Sequence, residues 1–324
     1  MPKNLLIDCD PGMDDGVALM LALRHPAVRV LAVTAVTGNL TADRTSLNAR
    51  KVLAWAGAPE VPVAQGPLAP LRRGYPSDPF SHGTDGLGDL GLPDPGLDLA
   101  PVDAPRMIVD TVDAHAGDVT LVCLGPLTNL ALALELDPGL PAKVREVVVL
   151  GGAFGFTPYA FTQATGDNPA SEWNFYVDPD AARAVLRAGL PLTAVGLDVT
   201  THPEINLSDS DLRLLEDSRR PEAAFLAGVT RFVRRRGYQS YCALIDSVAV
   251  ASVIDPGLLE TESIRCDVET EGELTRGMTV VDVRNHHAWE EMPRIKAAKA
   301  LDFPRFRDLL LSVITGEPVP ELSA

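Results

Sequence analysis

Four aspartates near the amino terminus have residue types and a spacing that could do chemistry: Asp8, Asp10, Asp14 and Asp15. The apolar residues 5–7 before them predict a short buried strand, and the Pro-Gly pair at 11–12 predicts a turn at its end. Acids are favourable beside the free N–H groups of a first helical turn, which would explain Asp14 and Asp15 but not the other two. Four like charges repel strongly in a partly dry site, and hard cations such as Ca²⁺ or Mg²⁺ prefer oxygen ligands. The stretch therefore predicts a metal site rather than a solvated acidic turn.

The rest of the chain alternates between strand-like and helix-like patterns. Strands are predicted at residues 5–7, 28–36, 61–64, 119–124, 147–150 and 192–199, with two more between 264 and 283. Helical spacing is predicted at 17–23, 41–56, 104–116, in a segment ending at 136, at 178–188, and over most of 208–254. Such alternation is typical of βαβ units and predicts an α/β fold, with a largely parallel central sheet and helices on both faces.

In sheets of this kind, ligands bind outside the carboxyl ends of the strands. The residues that follow predicted strands and could reach such a site are Asp8, Asp10, Asn39, Leu124 through its backbone, Glu172 and Asn174. We therefore expect polar groups from four distant segments to meet at one rim of the sheet.

Two long stretches carry no clear pattern, at residues 65–101 and 153–176. Loops of this length are commonly lids or binding segments. The first contains His82, and the second contains Glu172, Trp173 and Asn174. A carboxylate and an amide on either side of a large apolar residue could hold the hydroxyl groups of a sugar, or could only stabilise the loop.

The acidic stretch resembles the signature of a known family, the nucleoside hydrolases of the inosine–uridine-preferring type, and reads Asp8-Cys9-Asp10-Pro11-Gly12-Met13-Asp14-Asp15. A second similar segment runs from Glu172-Trp173-Asn174 to Asp178-Pro179, and a third from Asp246 to Ile254-Asp255-Pro256. The resemblance implies a Rossmann-like nucleoside hydrolase fold that spans residues 1–324 as a single domain.

The resemblance also implies roles for individual residues. The expected ligands of a Ca²⁺ ion are Asp10, Asp15, Asp246 and the main-chain carbonyl of Leu124. Asp10 is the expected general base, and Asp8 is expected to support the loop rather than bind the ion. The expected substrate-binding residues are Asp14, Asn39, His82, Asn168, Glu172, Asn174, Tyr238 and Asp246. Tyr238 and Tyr241 could face the base or merely pack, and the three arginines at 234–236 are predicted to form a solvated helix face.

Two departures from the family pattern bear on function. Many members carry His directly before the metal-binding Asp, as an acid for the leaving base, whereas this chain has Ile245. The residue expected on the ribose 5′-hydroxyl lies in Gly166-Asp167-Asn168-Pro169, whose register differs, and Asn168 is its best candidate. Without an acid at 245 the chain is expected to prefer pyrimidine nucleosides, since pyrimidines gain less from protonation at a distant ring nitrogen.

The expected function is Ca²⁺-dependent hydrolysis of the N-glycosidic bond of ribonucleosides to ribose and free base, with uridine or cytidine preferred. Three alternatives stay open: a purine-preferring or non-specific hydrolase, a nucleoside-binding protein without turnover, and a haloacid-dehalogenase-like Mg²⁺ phosphatase. The phosphatase class shares a strand ending in Asp-x-Asp but needs Thr soon after it, and here Pro11-Gly12 follows. Ribose release from a nucleoside would exclude the binding protein.

Composition narrows the partners. The formal net charge of −16 over 324 residues argues against nucleic acid or an anionic membrane as a partner. No secretory signal and no apolar run of membrane-spanning length is visible. The four cysteines, Cys9, Cys123, Cys242 and Cys266, are spaced too widely for a zinc motif and indicate reduced thiols in a cytoplasmic protein. The resemblance implies a homo-oligomer, either a dimer or a tetramer, that acts on a small ribonucleoside.

Overall fold

The computed structural model describes residues 2–78, 80–163 and 165–318. Its strands are β1 (Lys3–Cys9), β2 (Val28–Ala35), β3 (Val63–Gln65), β4 (Val119–Cys123), β5 (Glu146–Leu150), β6 (Leu192–Val195), β7 (Leu259–Ile264), β8 (Cys266–Val268), β9 (Thr279–Val281) and β10 (Ile295–Leu301). Eight of them form one sheet in the order β3-β2-β1-β4-β5-β6-β10-β7, and β8 pairs with β9 in a small antiparallel ribbon. All neighbouring pairs of the large sheet are parallel except β10 with β7, so the predicted α/β fold with a largely parallel sheet is confirmed.

The α-helices of the described residues connect these strands. They are α1 (Met13–Arg24), α2 (Ala42–Trp55), α3 (Ala104–Ala114), α4 (Thr128–Leu136), α5 (Leu140–Lys143), α6 (Tyr159–Thr162), α7 (Trp173–Val177), α8 (Pro179–Arg187), α9 (Leu197–Thr200), α10 (Asp209–Asp217), α11 (Pro221–Arg235), α12 (Ile245–Ile254) and α13 (Phe303–Thr315). Short 3₁₀ turns lie at Pro203–Ile205, Ser240–Ala243, Pro256–Leu258 and His287–Trp289. Across the described part of the chain, none of the helices combines the length and apolar character that crossing a membrane requires.

The sheet separates two apolar cores. Leu5, Ile7 and Cys9 of β1 pack on one face with α1, α11, α12 and α13, while Leu6 packs on the other with α3, α4 and α8. Strands that are buried on both faces need apolar side chains at nearly every position, which is why β1 reads as a continuous apolar run.

Strand order decides where a ligand can bind. From β1 the chain continues to β2 and β3 on one side of the sheet, and then returns to β4, β5 and β6 on the other. Connections that leave in opposite directions open a crevice at the carboxyl ends of β1 and β4. Asp10 directly follows β1 at this edge of the sheet.

Three sequence predictions need correction. The strand expected at 192–199 ends at Val195, and Leu197–Thr200 is helical, because Asp198 turns back to accept N–H groups of Phe154 and Phe156 at 2.8 and 2.6 Å. The stretch 153–176, expected to be irregular, contains α6 and the start of α7. Strand β10 and helix α13 lie in a region for which no element was predicted.

The segment 66–103 has no helix or strand among its described residues, yet it is tied to the fold at several points. The buried carboxylate of Asp178 accepts the N–H of Leu71 at 2.8 Å, the hydroxyl of Thr128 at 2.7 Å and the N–H of Ala181 at 3.0 Å. It therefore caps α8 and anchors both this segment and α4. A second anchor is the bond from Arg73 to the carbonyl of Tyr176, 2.6 Å.

We predict that Asp178→Ala lowers the free energy of unfolding by at least about 2 kcal/mol, because the cap is lost and buried donors are left without acceptors. The matched control is Asp103→Ala, which removes an exposed cap that accepts only the N–H of Arg106. The control should lose about 1 kcal/mol. Urea unfolding of both variants measures the difference, and equal losses would show that Asp178 does no more than cap its helix.

Candidate active site

A cavity of about 770 Å³, including its mouth, opens at the carboxyl ends of the central strands. The predicted site residues that line it are Asp10, Asp14, Asn39, His82, Leu124, Glu172, Asn174, Tyr238 and Asp246. Asp15 does not line the cavity but is fully buried, and its carboxylate lies beside those of Asp14 and Asp246. Most of the residues predicted from their positions after strands therefore lie at one cavity, as expected for the carboxyl ends of parallel strands.

The floor of the cavity is a group of buried carboxylates. Oxygen atoms of Asp14, Asp15 and Asp246 all lie within 4.8 Å of one another. The first turn of α1 brings the first two and the first turn of α12 brings the third. Asp10, predicted with Asp15 and Asp246 as a ligand, also lines the cavity but is not one of this closest trio.

The carboxylates of Asp10 and Asp15 are oriented by the backbone. Asp15 accepts the N–H of Asp10 at 3.1 Å and that of Gly12 at 2.9 Å, which also caps α1. Asp10 accepts the N–H of Asn39 at 2.6 Å. A methyl group at Gly38 would overlap the Asp10 carboxylate, so the turn after β2 holds this side chain in place only with glycine there.

Burial opposes the charged forms of these groups. It raises the pKa of Asp14 to about 7 and that of Asp15 to about 6, and it holds the pKa values of Asp10 and Asp246 well above their usual range. Repulsion between the carboxylates adds to the rise for Asp10, Asp15 and Asp246. No lysine or arginine lines the cavity among the described residues, so the protein's own side chains offer little neutralisation. An all-oxygen set of this kind fits a hard divalent cation.

Asp8 faces away from this group. Its Oδ1 accepts the hydroxyl of Thr34 at 2.6 Å and the side-chain amide of Asn129 at 2.7 Å, and the residue is fully buried. The carboxylate therefore links β1 to β2 and α4, beneath the cavity rather than in it.

Glu172 and Asn174 reach the cavity from the start of α7. Glu172 caps this helix by accepting the N–H groups of Asn174 at 2.7 Å and Phe175 at 3.0 Å, and it also accepts that of Gly152 at 3.1 Å. The amide of Asn174 donates to the Leu124 carbonyl at 2.7 Å. Leu124, whose carbonyl is predicted to bind metal, lines the cavity, and this carbonyl already accepts one hydrogen bond from Asn174.

His82 is held against the start of α1. The N–H of Met13 donates to its Nδ1 at 3.2 Å, so the neutral ring carries its proton on Nε2. The Asp14 carboxylate is 3.7 Å from the same nitrogen. Burial lowers the pKa of His82, and at neutral pH the ring is a hydrogen-bond donor rather than a cation.

Asn168 is the predicted site residue that the structure does not bring to the cavity. Its amide donates to the Arg276 carbonyl at 2.9 Å, and its Oδ1 accepts the N–H of Ala170. The altered register of residues 166–169 turns this side chain into a loop support, and Thr165 lines the cavity instead. Tyr241 is also turned outward, donating to Gln163 at 2.8 Å.

Sequence reasoning missed several cavity residues: Asp78, Ser81, Thr165, Leu197 and Cys242. They come from loops and from a short helix, where no periodic pattern marks them. Ile245 lines the cavity beside Asp246, so the position next to the predicted metal ligand does face the ligand space.

Known proteins resemble this chain over nearly its full length. The family model described as inosine-uridine preferring nucleoside hydrolase matches residues 5–308. The inosine-uridine preferring nucleoside hydrolase of Leishmania major is 36% identical, over 98% of this chain and 100% of the relative. A probable uridine nucleosidase 2 of Oryza sativa subsp. japonica is 35% identical, over 94% of this chain and 90% of the relative. The solved purine-preferring ribonucleoside hydrolase from Gardnerella vaginalis is 30% identical with a TM-score of 0.84, covering 97% of this chain and 98% of that one.

The raised carboxylate pKa values predict an unusual pH dependence for the metal-free protein. The folded state holds protons on these groups that the unfolded chain releases near its ordinary pKa of about 4. The free energy of unfolding of chelated protein should therefore fall as pH rises from 5 to about 7. An added divalent cation binds the ionised group, so it should stabilise the protein more at pH 7.5 than at pH 5.

Urea unfolding at a series of pH values, with chelator and with added cation, measures both effects. The variant Asp15→Asn removes one charge and one anionic ligand, and it should weaken the pH slope and the cation response together. The exposed Asp103→Asn should change neither. A free energy of unfolding that rises between pH 5 and 7 in chelator would show that the buried carboxylates do not have raised pKa values.

Proposed function

Because the chain belongs to the family of inosine-uridine preferring nucleoside hydrolases and is a ribonucleoside hydrolase, we propose that it cleaves the N-glycosidic bond with Ca²⁺ held by its buried aspartates. The observation that carries this proposal is the group of buried carboxylates on a cavity whose described lining has no lysine or arginine. One domain, residues 1–324, would supply all of these groups.

The donor chemistry supports a hard cation. Carboxylate oxygens of Asp14, Asp15 and Asp246 are clustered, and Asp10 and the Leu124 carbonyl line the same cavity. Ca²⁺ takes six to eight oxygen ligands in flexible geometry, whereas Mg²⁺ demands a stricter octahedron. The proposed ligands are Asp10, Asp15, Asp246 and the Leu124 carbonyl, with Asp14 close enough to contribute. Bound Ca²⁺ would supply electrostatic activation of the attacking water and a fixed point for ribose hydroxyl groups.

Asp10 is the proposed general base. Asn39 and the glycine beside it fix the Asp10 carboxylate at the cavity floor, where it can take the proton of a water that attacks the anomeric carbon. Departure of the base builds positive charge on the ribose, and the neighbouring carboxylates favour that charge. Asp14 and Asn39 would bind ribose hydroxyl groups on one side, and Glu172 and Asn174 on the other.

Two alternative readings find less support. A phosphatase of the haloacid-dehalogenase type would need Asp8 in the cavity, but Asp8 is turned toward Thr34 and Asn129. A binding protein without turnover would not need a buried base beside a metal site. The relatives include enzymes named for hydrolysis of nucleosides.

We further propose that pyrimidine nucleosides are preferred. Ile245 lines the cavity and cannot protonate a leaving purine. Burial lowers the pKa of His82 and raises that of the Cys242 thiol to about 12, so neither is a strong acid at neutral pH. A pyrimidine can leave with its charge received at O2 by a hydrogen-bond donor such as the Nε2–H of His82. The names of relatives point both ways, to uridine in rice and to purines in Gardnerella vaginalis.

The assembly and location are proposals from the sequence. We propose a homo-oligomer, either a dimer or a tetramer, in the cytoplasm, with a free ribonucleoside as its ligand. Light scattering at the concentration used for kinetics would distinguish the two assemblies.

For the base, Asp10→Asn keeps an oxygen at the cavity floor but cannot accept the water's proton. We expect kcat for uridine to fall by about 10²–10⁴-fold at saturating Ca²⁺, with a much smaller change in KM. The exposed Asp103→Asn, which keeps its capping oxygen, should retain the parental kcat. A near-parental kcat in Asp10→Asn would falsify the role.

For base preference, we expect a higher kcat/KM for uridine than for inosine in the same buffer. Introducing Ile245→His places a titratable ring beside Asp246, and it should raise kcat/KM for inosine more than for uridine. A higher kcat/KM for inosine than for uridine in the parent enzyme would contradict the proposed pyrimidine preference. An Ile245→His enzyme with an unchanged ratio would show that residue 245 does not reach the base.

A further inference from the structure

Two carboxylates that line the cavity lie outside the metal group, Glu172 and Asp78, and Glu172 already accepts three backbone N–H groups at the start of α7. Asp78 belongs to the 66–103 segment and lines the cavity together with Ser81 and His82. The guanidinium of Arg236, which follows α11, donates to the Phe80 carbonyl and packs 5.9 Å from the centre of the Tyr238 ring. Arg236 is exposed, as predicted for the arginines at 234–236, but it follows α11 rather than lying on its face, and it ties the loop around Phe80 to the residues beside Tyr238.

Asp78 comes from a different part of the fold than the metal group. The groups proposed to bind metal and ribose lie at the ends of β1, β2 and β4 and at the start of α7 and α12. Asp78 and Ser81 come instead from the 66–103 segment, and Tyr238 from the turn after α11. A nucleoside whose ribose sits at the strand ends, as proposed, would have its base in the rest of the cavity, which these residues line.

Asp78 is ionised and has acceptor capacity to spare. Its Oδ1 accepts the N–H groups of Phe80 at 2.9 Å and Ser81 at 3.1 Å. Burial alone would raise the pKa of Asp78, but hydrogen bonds from Ser81 and Phe80 outweigh it and hold the pKa below its ordinary value. An ionised carboxylate only accepts hydrogen bonds, and it has about four acceptor positions.

Cytosine and uracil differ at the position where such a group can discriminate. Cytosine carries an amino group on carbon 4, which donates, and uracil carries a carbonyl oxygen, which accepts. A carboxylate binds the first and repels the second. We propose that Asp78 accepts a hydrogen bond from the cytosine amino group and makes cytidine a better substrate than uridine. This inference rests on the proposed function, because it specifies the base at the same cavity.

Asp78→Asn tests the proposal with little change in shape. Its side-chain oxygen can still accept from Phe80 and Ser81, while its other atom becomes a donor. We expect kcat/KM for cytidine to fall by about five- to a hundredfold, and that for uridine to stay or rise. The matched control is Asp94→Asn, a residue of the same segment that accepts the N–H of Gly96 and does not line the cavity. The control should leave the cytidine-to-uridine ratio unchanged.

The pattern of change separates specificity from structure. A larger loss for cytidine than for uridine supports the proposal, since a merely structural role would reduce both by the same factor. Equal changes, no change, or a larger loss for uridine overturn the role of Asp78 but leave nucleoside hydrolysis intact. A parent enzyme that hydrolyses neither nucleoside overturns the proposed function and this inference with it.

The parent enzyme supplies a second measurement if Asp78→Asn does not fold. The riboside of 2-pyrimidinone has only hydrogen at carbon 4, so it neither donates to Asp78 nor is repelled by it. We expect KM to increase from cytidine to the pyrimidinone riboside to uridine. Any order in which uridine has the lowest KM would overturn the proposal.

Discussion

Repulsion among buried carboxylates is the constraint on which the rest of the structure depends. Asp10, Asp14 and Asp246 are buried in the lining of one cavity and Asp15 is buried beside them, and burial disfavours the charge of each of them. A fold does not keep such a group for stability, because uncompensated buried charge is strongly destabilising. Such an arrangement needs a bound cation or protons shared between the carboxylates. It also needs backbone groups that hold each carboxylate in place.

Backbone N–H groups hold two of these carboxylates, Asp15 and Asp10, in place. Asp15 is held by two backbone N–H groups at the start of α1, and Asp10 by the backbone N–H of Asn39. Gly38 and Gly125 approach the Asp10 carboxylate so closely that any larger side chain would displace it. Backbone donors are rigid because the strands and helices fix them, so they hold these carboxylates in defined orientations.

The cavity has two kinds of wall with different tasks. The floor comes from strand ends and helix starts, which the parallel sheet positions rigidly. Other parts of the lining come from the 66–103 segment and from residues after α11, which are joined by the bond from Arg236 to the Phe80 carbonyl. Chemistry common to all ribonucleosides suits the floor, whereas the choice of base suits a rim built from loops, which vary in sequence more easily than the sheet does.

The sequence alone determined the fold class, the crevice and most of the floor. The apolar runs and their alternation with helices required a parallel sheet, and the position of Asp10 after β1 placed it at the ligand-binding edge. Asp78, Ser81 and Cys242 could not be found in this way, since loop residues carry no period that reports what they face. Asn168 was misplaced for a related reason: a shift in a loop turns a side chain without leaving a mark in the pattern.

Only the tertiary structure decided that Asp8 faces Thr34 and Asn129, that Asp14 joins Asp15 and Asp246, and that His82 accepts from Met13. Those outcomes depend on contacts between segments far apart in the chain, and local sequence patterns do not encode distances of that kind.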